Sequence, residues 1–284
     1  MIIDGRKMAE RVLARTKVRA GLLSRIPYVV AITASSTPAT RSYLAIKEKR
    51  ATDAGCVFEI VRMSENTNTT ELVAAVRSTD ADAIIVQLPL PVDVDMKEVC
   101  DAIPVEKDAD VLSCTARENF EKGEVGALLP PVIGAVREIF EKNSLEIRDK
   151  RTVVVGEGFL VGAPVAVWLT QQGARVNIID TPASFAGARV TLAQADIIIA
   201  GAGSPHLIKP EMVKEGVVLI DAGTSESGGI IVGDADLACA LRCSLFTPVP
   251  GGIGPLAVAF LFENAVTLAE KTAKTHAQSH SVRV

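Results

Sequence analysis

The sequence predicts an α/β protein of two domains, in which parallel strands alternate with helices. Short runs rich in valine and isoleucine begin near residues 28, 56 and 83, and this even spacing is typical of consecutive βαβ units. Between Thr152 and Asp180, another apolar strand leads through a glycine-rich turn into a helix and a further strand, which is the order of a dinucleotide-binding domain. A chain of 284 residues is long enough for two domains with separate cores.

Apolar spacing, with glycine and proline as breaks, predicts the elements in order. In the first domain we expect helices at 5–24, 38–55, 69–76 and 95–103, and strands at 28–33, 56–63 and 83–87. The prolines of Leu88–Pro91 end this pattern, because each fixes its own φ and disfavours helix in the residue before it. After Pro130 and Pro131 we expect a bridging helix at 132–140, strands at 153–155, 176–179, 196–200, 217–221 and 243–246, and a final helix at 256–271. That last helix is expected to pack back onto the first domain.

Composition limits the classes of partner. Thirty basic and 34 acidic side chains leave a net charge near −4, so we expect no general attraction to nucleic acid or to an anionic membrane. Charges interrupt the N-terminal apolar residues, and the five cysteines form no C-x-x-C pair, so we expect a cytoplasmic protein with reduced thiols. Two of the three histidines, His276 and His280, lie in a polar C-terminal segment, and we expect no metal site. A general base before residue 150 must therefore be a lysine, carboxylate, tyrosine or thiol.

The glycine turn favours a nucleotide site over an ordinary turn of an α/β sheet. Gly156, Gly158 and Gly162 follow a β-branched strand and lead into a helix that ends at Gly173. Such glycines let the backbone approach a pyrophosphate, whose charge is stabilised at the helix N-terminus. Asp180 follows Gly156 by 24 residues (180 − 156), close to the spacing of a carboxylate that binds a ribose hydroxyl.

Five polar residues of the first domain are candidates for chemistry. Tyr43 and Lys47 are four apart and share one face of the predicted helix, and a desolvated lysine can act as acid and base. Because three charged residues follow Lys47, spacing alone favours a solvated surface helix there. Gln87 closes a parallel strand, where it either faces a ligand or satisfies loop backbone. Asp108 and Asp110, in the next loop, either orient a substrate or cap a turn.

Taken together, the motifs resemble those of the methylenetetrahydrofolate dehydrogenase/cyclohydrolase family. They occur in the family's order and spacing over nearly the whole chain: PATRSYLAIKEK (38–49), IIVQLPLP (84–91), PVEKDAD (104–110), VVVGEGFLVGAP (153–164), GSPHLIKPEMVKEGVVLIDAG (203–223) and TPVPGGIGP (247–255). The resemblance implies a cytosolic homodimer with two α/β domains and a cleft between them. It implies oxidation of 5,10-methylenetetrahydrofolate to the methenyl form with NADP, followed by hydrolysis to 10-formyltetrahydrofolate.

The resemblance also implies domains and residue roles. Residues 1–130, completed by the C-terminal helix at 255–275, would form a folate-binding catalytic domain, and residues 140–254 a Rossmann NAD(P)-binding domain. Lys47 would be the acid–base group, Gln87 would hydrogen-bond it, Tyr43 would flank the folate ring and Asp110 would hold the pterin. The other implied substrate contacts are Pro89, Pro248, Gly251 and Gly252. The implied dinucleotide contacts are Gly156, Glu157, Gly158, Gly162, Asp180, Thr181 and Thr224.

Departures from the family pattern fall mostly on the dinucleotide side. The family's Gly-Arg-Ser turn is Gly156-Glu157-Gly158 here, and its Cys-His-Ser is Ile179-Asp180-Thr181. Other departures are Val111 in place of a glycine, Leu129–Val132 in place of Pro-Cys-Thr-Pro, and Ala257 in place of a threonine. Two alternatives therefore stay open, a cyclohydrolase with a degenerate dinucleotide site and a non-catalytic folate- or nucleotide-binding protein. An unrelated Rossmann dehydrogenase is disfavoured because it leaves the folate-side motifs unexplained.

The same departures favour NAD over NADP. The extra phosphate of NADP needs an arginine or hydroxyl donors, whereas Glu157 and Asp180 present carboxylates that repel it and donate nothing when ionised. Asp180 is instead placed to accept hydrogen bonds from the ribose hydroxyls of NAD. Arg175 and Arg189 are close in sequence, but nothing in their spacing directs them to a phosphate.

Overall fold

The structure is a computed structural model that describes residues 1–180, 182–227 and 230–281, with side chains described for 1–180, 187–226 and 230–275. It contains two compact units. The three-strand unit comprises Glu10–Pro131 and the chain from Val258 onward, and the five-strand unit comprises Met1–Ala9 and Val132–Ala257. Each unit contains a parallel α/β sheet, which confirms the predicted fold class.

The sheet of the three-strand unit has the order β2-β1-β3, with all strands parallel. Its strands are β1 (Tyr28–Thr33), β2 (Val57–Arg62) and β3 (Ala83–Val86). β1 and β3 are apolar and buried because both faces of the sheet are covered, whereas β2 is an edge strand with exposed side chains. The helices in this part of the chain are α2 (Pro38–Ala54), α3 (Thr69–Ser78), α4 (Met96–Asp101) and α5 (Cys114–Glu121).

Local sequence sets the limits of α2, the helix that carries Tyr43 and Lys47. The Thr37 side chain accepts a hydrogen bond from the Thr40 amide (3.1 Å) and caps the first turn, and Pro38 suits the first helical position. The helix ends at Gly55, whose φ of +79° is the left-handed conformation that glycine adopts without strain.

The long C-terminal helix α9 (Ile253–Ser281) packs along the N-terminal helix α1 (Gly5–Ala20), as the sequence predicted. Arg15 Nε donates to Glu263 (2.8 Å) and Arg19 Nη2 to Glu270 (2.8 Å). Within the described residues, one segment, Ile253–Thr275, is long and apolar enough to span a membrane, but 61% of its apolar window is buried inside the protein. That burial is typical of a core helix.

The sheet of the five-strand unit is also parallel and has the order β10-β7-β6-β4-β5. Its strands are β4 (Arg151–Val155), β5 (Arg175–Ile179), β6 (Ile197–Ala200), β7 (Val217–Asp221) and β10 (Cys243–Phe246), and its helices are α6 (Pro131–Lys142), α7 (Gly162–Gln171) and α8 (Pro182–Gln194). A two-stranded hairpin, β8 (Ser225–Ser227) and β9 (Ile230–Val232), follows β7. Because the chain passes from β4 to β5 on one side and then to β6 on the other, the carboxyl ends of β4 and β6 form a switch point where such sheets bind ligands.

The sequence did not predict α5, α8 or the hairpin. In α5 the buried residues are Ala116 and Phe120, which lie one turn apart and give too short a periodic pattern. α8 is rich in small residues and has no clear apolar stripe. The hairpin strands are three residues long, which is below the length at which alternation can be recognised.

Candidate active site

A lysine and a glutamine form the centre of the candidate site in the three-strand unit. Lys47 Nζ, on α2, donates to Gln87 Oε1 at 2.9 Å. The Gln87 Nε2 donates to the Leu88 carbonyl (2.6 Å), which turns the amide oxygen toward Lys47. Gln87 is buried and directly follows β3, so the sheet fixes its position. The Gln87 amide therefore donates to the loop backbone and accepts from Lys47.

The solvated-surface interpretation of Lys47 was wrong. The side chain is partly buried, and desolvation lowers the pKa of its ammonium group, while attraction to Asp110 opposes this shift. Burial likewise raises the pKa of Asp110, against the attraction of Lys47, and Asp108 adds to the rise. Because desolvation lowers its pKa, this lysine loses its proton more readily than a free one, and in the neutral form it can act as a base.

Asp108 caps the loop that carries Asp110. Its buried carboxylate accepts from the Leu112 amide (3.0 Å), the Ser113 amide (2.8 Å) and the Ser113 hydroxyl (2.7 Å). Of the two alternatives left open for Asp108, the structure supports the turn cap. Val111, within this turn, has a φ of +58°, which is strained for a β-branched residue and explains why a glycine suits the position.

The final helix also holds this loop. Asn264, on α9, is buried, and its Nδ2 donates to the carbonyls of Ala109 and Leu129, both at 2.9 Å. Ala109 directly precedes Asp110, so the helix fixes the backbone beside that carboxylate. This residue was missed from the sequence because an asparagine inside an apolar helix carries no signal for its distant partners.

Tyr43 and Pro89 are the remaining predicted substrate contacts in this unit. Tyr43 lies one helical turn before Lys47 and is 37% exposed, and Pro89 is exposed two residues after Gln87. Both side chains are therefore exposed, and each lies within a few residues of Lys47 or Gln87 in the sequence. Their role in binding stays a prediction.

In the five-strand unit, the glycine turn after β4 packs tightly against the loop after β6. A Cβ at Gly156, whose φ is +89°, would lie 2.6 Å from the Ala202 Cα, and one at Gly162 would lie 1.8 Å from the Gly156 carbonyl oxygen. Both positions therefore require glycine. Gly158 is different, since the nearest atom to its Cβ, the Gly201 oxygen, would be 3.8 Å away.

Asp180 lies beside this turn, as the spacing predicted. It directly follows β5, is exposed, and accepts a hydrogen bond from the Glu157 amide to Oδ1 (2.7 Å). A carboxylate held in this way at the carboxyl edge of the sheet can accept hydrogen bonds from ribose hydroxyls, so the residues present fit a dinucleotide. Arg175 starts β5 at the opposite edge and pairs with Asp149 at 3.9 Å.

Two other predicted contact regions lie in this unit. Thr224 is exposed just after β7, and Thr181 lies outside the described residues. Gly251 has a φ of +109°, and the Gly252 amide donates to the Pro248 carbonyl (2.7 Å), so the loop after β10 forms a tight turn. The Gly5 amide donates to the Gly251 carbonyl (3.0 Å) and ties this loop to the N-terminal segment of the same unit.

Two buried aspartates near the glycine turn were missed from the sequence. Asp234 accepts from the amides of Ala202, Gly203 and Ser204, and Asp221 accepts from the amides of Gly223, Asp234 and Ala235. Burial raises the pKa of Asp221 to about 6. The sequence carried one signal, since Asp221 ends the apolar strand β7, which is fully buried. A buried carboxylate is unusual unless its oxygens accept hydrogen bonds.

The fold and these two groups of residues define a class of protein, a two-unit α/β protein with a desolvated lysine on one sheet and a dinucleotide-type glycine turn on the other. The chain belongs to the tetrahydrofolate dehydrogenase/cyclohydrolase family. The family's catalytic domain matches residues 3–110 and its NAD(P)-binding domain matches residues 130–273. The resemblance inferred from the motifs is thereby confirmed.

Individual relatives agree with this assignment over nearly full length. Bifunctional protein FolD of Halothermothrix orenii is 35% identical over 282 residues, which cover 93% of this chain and 96% of the relative. The crystal structure of bifunctional FolD from Campylobacter jejuni has a TM-score of 0.90 at 29% identity and covers 96% of this chain and 99% of its own. FolD of Trypanosoma brucei, complexed with NADP cofactor and an inhibitor, has a TM-score of 0.89 at 30% identity, covering 96% and 98%.

Proposed function

We propose that this protein is a bifunctional enzyme of folate one-carbon interconversion. It oxidises 5,10-methylenetetrahydrofolate to 5,10-methenyltetrahydrofolate with NAD(P) and hydrolyses the product to 10-formyltetrahydrofolate. Residues 1–130 with 255–275 bind the folate, and residues 140–254 bind the dinucleotide. The observation that carries the proposal is the hydrogen bond between the desolvated Lys47 ammonium group and Gln87.

Hydrolysis needs a group that takes a proton from water. Water adds to the cationic methenyl carbon, and neutral Lys47 accepts the proton that the water loses as the C–O bond forms. One C–N bond of the adduct then breaks as its hydroxyl group loses a proton and becomes the C=O group, the departing nitrogen takes up a proton, and the formyl group stays on the other nitrogen. Gln87 holds Nζ in place, while Asp110 and Tyr43 bind the ring system of the substrate.

When bound, the dinucleotide supplies the hydride acceptor, and this chain supplies its position. Gly156 and Gly158 allow the backbone to approach the pyrophosphate, Gly162 starts the helix that faces it, and Thr224 flanks it. Asp180, held by the Glu157 amide, accepts hydrogen bonds from the adenine ribose. Pro248, Gly251 and Gly252 shape the substrate side.

Within this function we propose that NAD is preferred over NADP. Glu157 and Asp180 are both exposed at the glycine turn, where they would face the extra phosphate of NADP with like charge. Arg175 cannot offset this repulsion, because it lies at the other end of β5 and pairs with Asp149. Arg189 lies in α8 beyond its first turn. One misplaced charge can discriminate by several kcal/mol when the bound dinucleotide excludes water from it.

Calorimetric titration of the purified protein with NAD and NADP tests the preference. We expect the Kd for NADP to be at least about tenfold higher than that for NAD, since one like-charge contact costs more than ~1.4 kcal/mol. Glu157→Arg should lower the Kd for NADP, whereas the neutral control Glu157→Gln should lower it less. Clearly tighter binding of NADP by the unmodified protein contradicts the preference, and binding of neither dinucleotide with hydrolysis intact would leave a cyclohydrolase alone.

We further propose a cytoplasmic homodimer that binds neither nucleic acid nor membrane. The expected contact is through the five-strand unit, near residue 230 or 243. Ile230 and Ile231 of β9 are 66% and 43% exposed, and β10 is an edge strand. Exposed apolar residues favour association, and the outer edge of β10 is itself partly paired with the N-terminal segment through Ile2 and Phe246. Light scattering that gives a monomer mass at all concentrations contradicts this arrangement.

A further inference from the structure

Asp221 and Asp234 form a buried pair that ties together three segments at the carboxyl edge of the five-strand sheet. We propose that Asp234, supported by Asp221, is a positioning residue for the dinucleotide. It acts by holding the loop after β6 in the place that the glycine turn requires. This inference rests on the proposed function, because it assumes that a dinucleotide binds at that turn.

The carboxylate of Asp234 accepts hydrogen bonds from three successive backbone amides of the loop after β6. Oδ2 accepts from Ala202 (2.6 Å) and Gly203 (3.2 Å), and Oδ1 accepts from Ser204 (2.7 Å). Charge-assisted bonds of this kind are the strong ones, and Asp234 is fully buried. One side chain therefore determines the path of three residues that have no regular secondary structure.

The same loop packs closely against the glycine turn. The missing Cβ of Gly156 would lie 2.6 Å from the Ala202 Cα and 2.8 Å from the Gly201 oxygen. On the other side of the loop, a Cβ at Gly201 would lie 2.5 Å from the Val161 Cγ1, directly before α7. The loop after β6 therefore packs closely against both the glycine turn and the residue before α7, so we expect a displacement of this loop to disturb the turn.

Asp221 holds the backbone at Asp234 against the end of strand β7. Asp221 ends the buried strand β7, and its carboxylate accepts from the amides of Gly223 (3.0 Å), Asp234 (3.2 Å) and Ala235 (2.8 Å). The approach is close enough to require glycine, since a Cβ at Gly223 would lie 2.2 Å from the Asp234 Cγ. Asp221 at the end of β7 therefore binds the backbone at Asp234, Asp234 binds the loop after β6, and that loop packs against the glycine turn.

Asp234→Asn tests the proposal with a change that keeps the size of the side chain. An asparagine has one acceptor oxygen, so its NH₂ group must face at least one of the three loop amides. In the dinucleotide-free protein, we expect hydrogen–deuterium exchange to become faster in peptides that cover residues 200–208. The Kd for NAD in calorimetry should rise about tenfold, the scale expected for a lost bond to a charged group.

Asp236→Asn is the matched control. Asp236 lies two residues away, its side chain caps the Ala238 amide (3.0 Å) and pairs with Lys209, and that carboxylate accepts none of the hydrogen bonds from Ala202, Gly203 or Ser204 that the structure describes. Exchange and NAD affinity should stay at the wild-type level in this variant. Hydrolysis of methenyltetrahydrofolate without dinucleotide should be retained by both variants, and a urea melt like that of the wild-type protein shows that the five-strand unit of each has folded.

The outcomes separate this inference from the function on which it rests. If the wild-type protein binds NAD and Asp234→Asn binds it equally well, the positioning role is refuted and the proposed function stands. If Asp236→Asn loses as much affinity as Asp234→Asn, the effect is not specific to the loop and the role is also refuted. If the wild-type protein binds neither NAD nor NADP, the dehydrogenase part of the proposed function fails, and the positioning role fails with it.

Discussion

The pH dependence of hydrolysis should respond to charge at Gln87. In the Gln87→Glu variant a carboxylate would replace the amide oxygen that lies 2.9 Å from the Lys47 ammonium. Unit charges at that separation attract each other by about 6 kcal/mol at an effective dielectric constant near 20. The new acid can itself take up a proton, so only part of this energy acts on Lys47. Even a quarter of that energy would raise the pKa of Lys47 by about one unit.

The sign of the effect follows from the role of the lysine as a base. The neutral form of Lys47 is the active one, so the rate rises with pH through its pKa. A raised pKa moves this rise to higher pH, and at a fixed pH below it the rate falls by about tenfold for each pKa unit. The assay is the pH dependence of kcat/KM for methenyltetrahydrofolate, followed by the loss of methenyl absorbance without dinucleotide.

Gln87→Met is the matched control. Both variants lose the hydrogen bond from Gln87 to the Leu88 carbonyl, so their comparison isolates the new charge. The methionine variant should not move the rise to higher pH, because it removes an acceptor and adds no charge. A glutamate variant with the wild-type pH profile, or an equal upward shift in both variants, would refute the assignment of Lys47 as the base.

Three further predictions concern stability and positioning. Val111→Gly should be at least as stable as Val111→Ala in urea melts, because glycine relieves a positive φ that costs ~1–3 kcal/mol and alanine does not. Asp196→Asn should lower the free energy of unfolding at pH 7 by about 1 kcal/mol or less, since Lys214 and Arg151 lower the pKa of this carboxyl at a partly exposed site. Asn264→Ala should lower kcat/KM for hydrolysis by about tenfold, because it frees the backbone beside Asp110.

Each of these predictions has a control or an opposing outcome. At Val30, in the middle of β1, the Val30→Gly variant should be less stable than Val30→Ala. If Val111→Gly were likewise less stable than Val111→Ala, the claim of backbone strain at Val111 would be wrong. The stabilising effect of Asp196 is present above the unfolded pKa of about 3.9 and is lost as the pH falls toward the lowered folded pKa, so a pH-independent difference contradicts its origin. The control for Asn264→Ala is Glu270→Gln, a change on the same helix α9. It weakens the ion pair with Arg19 of α1 and should leave hydrolysis unchanged.

The sequence predicted the strands well because their signal is local. β1 and β7 are buried on both faces, so each is a continuous apolar run, and their predicted limits agree with the structure. α8 was missed because its sequence is dominated by small residues without a periodic apolar face. The short β8–β9 hairpin depends on neighbouring structure rather than on its own pattern.

The candidate site was predictable only in part, since much of it depends on residues far apart in sequence. The spacing of Tyr43 and Lys47 placed both on one helical face, but the charged residues after Lys47 suggested a solvated position. Its burial and hydrogen bond depend on Gln87, 40 residues away, at the end of another element. Asp234 was missed for the same reason, because its partners are backbone amides about 30 residues earlier in the chain.

The central claim is that Lys47 is the acid–base group of a methenyltetrahydrofolate cyclohydrolase. The most direct test compares hydrolysis by the wild-type protein, Lys47→Met and the control Lys49→Met, which changes an exposed lysine of the same helix. We predict that the wild-type and Lys49→Met proteins hydrolyse the substrate at similar rates and that Lys47→Met loses at least about 100-fold while remaining folded. Hydrolysis by Lys47→Met at a near wild-type rate would contradict the account.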